Sequence, residues 1–345
     1  MKLRLGVAAA ALLAAMTTAG AQAPTQTPEA LVESAKTAAG MNWAGTFLRI
    51  CIAPQNAAAP AGGGRGAGRG AGAGQGAGRG ANAAPATPDR ATWYAQPYKV
   101  FDNLYFIGTK VHSAWALTTS DGIIVIDSLY AYAIEPEMVE GLTKLGLNPR
   151  DVKYMLISHA HGDHDQGAAL FQSRFGTKIV MGAADWDATV ARTTYAGGVP
   201  KRDISVGPEG TKITLGDTTV NVISTPGHTP GTSSYIFPVK DRGRTITVAY
   251  NGGTAFNFPR SARAFEIYRD SQVKMGAAAK AAGASILMTN HTEFDQAYDR
   301  ARLAQLPRAA GEPHAYEVGA EAVQRYFTLM HDCSEAQRML AAAGR

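Results

Sequence analysis

From Trp93 onward the chain alternates short apolar runs with longer amphipathic ones, a β/α rhythm. Val152 to Ile157, Ile179 to Met181, Thr245 to Tyr250 and Ile286 to Met288 read as strands. Thr219 to Ile223 alternates apolar and polar residues, as a half-buried strand does. Between them, Ala131 to Leu145, Gly167 to Phe175, Ala183 to Thr193 and Arg263 to Ala282 carry helical patterns, three of them closed by Gly146, Gly176 and Gly283. Thr194 to Pro208 reads as a loop. Upstream, Thr27-Pro28 opens a helix over Glu29 to Ala39, with Thr27 as N-cap and Pro28 in the first position. Near the other end, Ala322, Tyr326, Leu329, Cys333, Ala336 and Leu340 recur at helical spacing and form one apolar face. That face predicts packing against the main domain, with a contact between copies as the alternative.

Residues 1–21 read as a signal peptide. Lys2 and Arg4 precede an apolar stretch, Val7 to Met16, too short to span a bilayer, and Ala19-Gly20-Ala21 is a small-residue cleavage site. A periplasmic or secreted protein follows, with no stable membrane insertion once the leader is gone. Residues 57–90, rich in Gly, Ala and Arg, cannot bury enough apolar area to offset chain entropy. They predict a disordered linker between an N-terminal segment (22–56) and the domain proper (91–310), with 311–345 as a C-terminal helix packed on that domain. At 46% hydrophobic and 18% charged residues, the composition supports a real core. Net charge is +5, or +3 without Lys2 and Arg4, and Arg65, Arg69 and Arg79 are scattered through the Gly/Ala tract. No basic patch interleaved with aromatics results, which argues against nucleic acid and leaves a small molecule as the expected partner. The two cysteines, Cys51 and Cys333, can pair in an exported chain or remain buried thiols.

The chemistry concentrates in Ser158-His159-Ala160-His161-Gly162-Asp163-His164, directly after a strand. Three imidazoles and one carboxylate within six residues are hard to explain as packing, and they suit Zn²⁺. His228, in Thr225-Pro226-Gly227-His228-Thr229-Pro230-Gly231, and His291, in Asn290-His291-Thr292, each follow another strand. Loops at strand ends are where a rigid scaffold presents ligands. The other histidines, His112, His314 and His331, lack this setting, and His112 reads as structural. Asp127, at the end of Gly122 to Ile126, either orients a ligand histidine or caps a turn, and Asp295 reads as a solvated loop residue.

Strand, His-x-His-x-Asp-His, Pro-Gly-His-Thr-Pro-Gly and a distal His resemble the metallo-β-lactamase superfamily, over about Trp93 to Asp295. The resemblance implies an αββα four-layer sandwich with the metal site at one edge. Tyr105 to Thr109, Ala116 to Thr119 and Gly122 to Asp127 fit its opening strands. Many members carry a bridging Asp after a late strand, and two lactamase subclasses carry a Cys. Here Asn251-Gly252-Gly253-Thr254 follows Tyr250. The chain therefore looks most like the His-rich third subclass of class B metallo-β-lactamases. That likeness implies two Zn²⁺ per chain, one on His159, His161 and His228, the other on Asp163, His164 and His291. Asp163 would also be catalytic, orienting the attacking water and passing a proton to the leaving nitrogen. The serines this subclass offers a substrate carboxylate are replaced by Gly252, Gly253, Thr254 and Ala255. The expected substrate contacts are therefore Thr254, Asn257, Arg260 and Ser233. The implied activity is zinc-dependent opening of β-lactam rings. Hydrolysis of a lactone, ester or cyclic amide is the alternative, and a non-catalytic zinc-binding protein the third reading.

Overall fold

The structure, a computed structural model, describes residues 26–52 and 87–344. The expected leader and most of the expected linker lie outside the described residues. The first sheet runs in the order β1 to β7: β1 (Tyr98–Lys99), β2 (Leu104–Phe106), β3 (Trp115–Thr119), β4 (Gly122–Ile126), β5 (Val152–Leu156), β6 (Lys178–Gly182) and β7 (Ile204–Val206). Its first four strands are antiparallel and β4 to β7 are parallel. The second sheet has the order β12-β11-β10-β9-β8, from β8 (Thr211–Leu215), β9 (Thr218–Ser224), β10 (Ser233–Asp241), β11 (Arg244–Asn251) and β12 (Ile286–Thr289). The helices of eight residues or more are α1 (Pro28–Ala39), α2 (Ala168–Phe175), α3 (Ala183–Val190), α4 (Ala262–Ala281) and α5 (Ala320–Ala342).

The burial pattern explains the layers. In β4, Ile124 and Ile126 point between the sheets while Ile123 and Val125 point outward, and all are buried. A strand covered on both faces must read as a continuous apolar run. Leu156, Trp115, Val222, Tyr235 and Val248 fill the space between the sheets. Met155, Met181, Met138, Phe171 and Trp186 cover the outside of the first sheet. Ile236, Ala249 and Leu287 meet Tyr268 and Met275 of α4 and Tyr326 and Met330 of α5 on the other side. The result is the αββα sandwich. No helix among the described residues is long and apolar enough to cross a membrane.

The C-terminal apolar face packs on α4 and α1. Cys51 and Cys333 are joined by a disulfide across 282 residues. Trp43 adds a hydrogen bond from its indole N–H to the Ala322 carbonyl (2.8 Å). Two helices differ from expectation. The stretch 131–145 is helical only from Ile134, and its first turn is π-helical. Pro136 lacks an N–H there, and the Ala131 N–H is taken by Gln166 Oε1. Helix α3 stops at Val190 because Arg192 turns away to bond Asp165 and the Ala160 carbonyl, both at 2.7 Å.

Glu137 is fully buried in that π-helical turn. One carboxyl oxygen accepts from the Ala95 N–H (2.7 Å), and the other has no partner. Burial pushes its pKa up to about 8. Between about pH 4.3, the unfolded value, and that point, the folded state holds the extra proton. Stability therefore falls as pH rises through the window, by up to about 1.4 kcal/mol per pH unit, and stays lost above it. Glu137→Gln is expected to remove this loss. Urea unfolding at pH 6 and pH 9 should show its advantage widening with pH, and parallel pH profiles for the two proteins would refute it.

Candidate metal centre

The ends of β2, β4, β5, β9, β11 and β12 lie along one edge of the sandwich, and their loops carry all six residues expected to hold metal. His159, His161 and His228 offer ligand atoms within 4.8 Å of one another. His228 Nε2 lies 3.1 Å from His161 Nδ1. In the second group, Asp163 Oδ2 lies 3.3 Å from His164 Nε2 and 3.4 Å from His291 Nε2, and those two nitrogens are 3.3 Å apart.

The outer nitrogens fix the tautomers. His159 Nδ1 donates to the Gly252 carbonyl (2.9 Å), and His228 Nδ1 donates to the Ala255 carbonyl (2.6 Å). Carbonyls only accept, so both Nε2 atoms carry lone pairs turned inward. His159 Nε2 is buried with no partner at all. Facing lone pairs and an orphaned buried nitrogen are what a cation would satisfy. Zinc–nitrogen bonds of about 2.0–2.1 Å in a tetrahedron require separations of this size between ligands. The donor set therefore fits zinc.

The electrostatics agree. Burial lowers the pKa of His159 and His291 well below the ordinary value and takes His228 to about 3, so these rings are neutral donors. Burial opposes ionisation of Asp163, but His164, His291 and His112 outweigh it and hold the carboxyl well below its usual range. Burial likewise opposes a charge on His164, yet Asp163 and Asp127 raise it to about 10. A metal there must displace that proton.

Asp127 is fully buried at φ 61°, a backbone conformation rare outside glycine. Its carboxylate accepts from the Ser158 N–H (2.7 Å), the Ser158 hydroxyl (2.9 Å) and the Tyr250 hydroxyl (3.1 Å), and lies 3.0 Å from His164 Nδ1. It orients a histidine. Asp295 is buried, not solvated: it accepts from the Thr289 N–H (2.7 Å) and the Ala297 N–H (2.9 Å) and shapes the turn bearing His291.

Three neighbours carry no local sequence signal. Asp185 accepts from the Ala160 N–H (2.8 Å), the Thr229 hydroxyl (2.7 Å) and the Gly231 N–H (2.8 Å), which ties the His159 loop to the His228 loop. The Asn290 amide donates to the Gly252 carbonyl (2.9 Å) between the two groups. His112, expected to be structural, has its Nε2 3.5 Å from Asp163 Oδ2, inside the cluster.

The expected substrate contacts divide. Thr254 is buried and donates to Asn290 Oδ1 (3.1 Å). Ser233 is buried in the β10 pairing, its N–H bonded to the Ser158 carbonyl (2.8 Å). Arg260 bonds Gln337 and lies over the Phe265 ring. Asn257 lines a cavity of about 800 Å³ whose wall includes His161 and His228. Pro226, Phe258 and Ile267 make that cavity largely apolar, with Arg263 beside them. The glycines after β11 have a packing reason: a Cβ on Gly252 would sit 1.8 Å from the Ser233 carbonyl oxygen, and one on Gly253 2.6 Å from the His228 Cβ.

Residues 107–272 match the model of the metallo-β-lactamase superfamily. Hydroxyacylglutathione hydrolase of Acidiphilium cryptum (strain JF-5) is 38% identical over 84 residues, 24% of this chain and 30% of that protein. N-acyl homoserine lactonase of Bacillus cereus is 28% identical over 128 residues, 36% of this chain and 48% of that protein. The chain thus spans less than half the length of these relatives. BJP-1, a subclass B3 metallo-β-lactamase of Bradyrhizobium japonicum, superposes with TM-score 0.61 and 28% identity over 73% of this chain and 98% of that one. GOB-18, a metallo-β-lactamase from Elizabethkingia meningoseptica, shares the fold at TM-score 0.59 and 22% identity, over 78% of this chain and 100% of its own. With this sandwich and this sequence match, residues 107–272 carry a metallo-β-lactamase superfamily domain.

Proposed function

We propose that this protein is an exported dizinc hydrolase that opens β-lactam rings. One observation carries the choice of substrate class. Gly252 leaves no space for a side chain at the turn after β11, so no carboxylate can bridge the two groups from there. The donors are then three histidines on one side and Asp163, His164 and His291 on the other. That set matches the His-rich lactamase pattern rather than the lactonase one.

Bound zinc would polarise the scissile carbonyl and bring the pKa of a water to about 7. The chain's own residues do the rest. Asp163, held as a carboxylate between the groups, accepts a proton from the attacking water and returns it to the leaving nitrogen. Asn290 and Gly252 lock the His159 ring, and Asp127 locks His164, so the donors need no rearrangement during the reaction. The apolar wall of Pro226, Phe258 and Ile267 takes the body of the substrate and excludes water. Asn257 and Arg263, both on the cavity wall, are the anchors for its carboxylate. With Gly252 and Gly253 in place of serines at the turn after β11, one or two hydrogen bonds of about 1–3 kcal/mol each are absent, which raises KM more than it lowers kcat.

The expected result is modest, chelator-sensitive hydrolysis of penicillins, cephalosporins or carbapenems with high KM, by protein holding close to two zinc ions per chain. A reproducible content near one ion sinks the dinuclear reading. The matches to lactonases favour a second reading, an ester or lactone hydrolase. Zinc-loaded protein that cleaves acyl lactones readily and opens no β-lactam would establish it.

A further inference from the structure

The β2–β3 turn brings a histidine to the metal cluster that the motif does not contain. The turn is rigid. A Cβ on Gly108 would lie 2.5 Å from the His112 carbonyl oxygen, so the chain doubles back tightly there. The Thr109 N–H bonds the His112 carbonyl, and the Thr109 hydroxyl accepts from the His112 N–H, both at 2.8 Å. The turn is also stitched to the His291 turn. The Ser113 N–H donates to the Asn290 carbonyl (3.0 Å) and the Thr292 N–H to the Val111 carbonyl (2.9 Å), with His112 and His291 facing each other as a backbone bridge.

This frame points the His112 imidazole inward. Its Nδ1 lies 3.5 Å from the Thr109 hydroxyl. Its Nε2 lies 3.5 Å from Asp163 Oδ2, the oxygen already shared by His164 and His291. Its ring meets the His291 ring edge-on at 5.1 Å and the Tyr130 ring at 5.2 Å. His112, Asp163 and His291 offer ligand atoms within 4.8 Å of one another. A buried histidine kept only for packing would settle its inner nitrogen in a hydrogen bond of about 2.7–3.2 Å. Here Nε2 stands off the carboxylate at a distance that suits two ligands of one ion.

We propose that His112 is a fourth protein ligand of the second metal, beside Asp163, His164 and His291. This rests on the two-metal reading above. Four protein donors make a closed site, which holds its ion firmly and leaves little room for an exogenous ligand. The first group keeps three protein donors and borders the cavity through His161 and His228. The two positions therefore differ in kind: one open for substrate, one closed around Asp163.

Competition against a chromophoric chelator tests this on full-length mature protein. Wild type should take two zinc ions, and His112→Ala should bind one of them at least about 100-fold more weakly, with the other unchanged. Cobalt-substituted wild type and variant should differ in visible absorption, since the coordination of one ion changes. Histidine ¹⁵N NMR of zinc-loaded wild type provides a check independent of the variant's folding: His112 Nε2 should carry the shift of a metal-bound nitrogen. Two ions held by His112→Ala with wild-type affinity and an unchanged cobalt spectrum would overturn the proposal, as would an unligated His112 in the NMR spectrum. Wild-type protein that takes a single ion would overturn the two-metal reading and this inference with it.

Discussion

Asp163→Ala is expected to lower kcat by at least about 100-fold, the scale of losing a major transition-state contact. The reason is positional. One oxygen of Asp163 sits 3.3–3.5 Å from the inner nitrogens of His164, His291 and His112. It is the one carboxylate among these four side chains and the charge their inner nitrogens share. Removing it leaves those nitrogens facing one another with no counter-charge between them, Asp127 reaching only the outer nitrogen of His164, so the second ion is lost along with the proton carrier. Asp163→Asn separates shape from charge and should behave like alanine in turnover. Steady-state kinetics with parallel metal analysis check both variants. Near-normal kcat in Asp163→Ala would show that neither this carboxylate nor its ion takes part in the reaction.

Asp127→Ala is expected to be the most destabilising substitution around the site. The carboxylate is fully buried and accepts from the Ser158 backbone, the Ser158 hydroxyl and the Tyr250 hydroxyl, besides facing His164. Each buried donor left without a partner costs about 1–3 kcal/mol, so about 3 kcal/mol or more should be lost in total. At about 2–4 °C per kcal/mol for a domain of this size, Tm falls by roughly 6–12 °C. Alanine also tolerates φ 61° poorly, whereas asparagine accepts it. Asp127→Asn should therefore keep more stability than alanine while weakening metal affinity, because the His164 ring loses the charge that orients it. Thermal melts in chelator isolate the first effect, and zinc titration isolates the second. A melt of Asp127→Ala within about a degree of wild type would show that these hydrogen bonds are not structural.

The residues that were legible in the sequence share one property: their signal is local. His159, His161, Asp163 and His164 fall in one six-residue run shortly after a strand end, and His228 and His291 each follow another strand, so the local setting groups them. Strand faces were legible for the same reason, because β4 is buried on both sides from Ile123 to Ile126 and reads there as an unbroken apolar run. His112 was not legible. Its neighbours form an ordinary turn, and only the pairing of that turn with residues near His291 brings it inward. Asp185 and Asn290 act by bonding backbone groups of distant loops, which no motif records. Thr254 and Ser233 were named for their hydroxyls, but tight packing around Gly252 and Gly253 turns them into the scaffold. The early end of α3 has the same origin: Arg192 leaves the helix to bond Asp165 across the site.

The bond between Cys51 and Cys333 changes what a cut in the chain means. Cys51 precedes residues 53–86 and Cys333 lies near the other end of the chain, so the bridge encloses that whole stretch in one covalent ring. A protease that cleaves once between 53 and 86 opens the ring without releasing either piece. The N-terminal fragment stays in place, with Trp43 against Ala322 and the Thr46 hydroxyl on the Phe294 carbonyl, three residues past His291. On a non-reducing gel the nicked protein runs as one species, and thiol separates it into two. Nicking and reduction together would remove the helical segment that buttresses the His291 turn, a loss neither treatment causes alone.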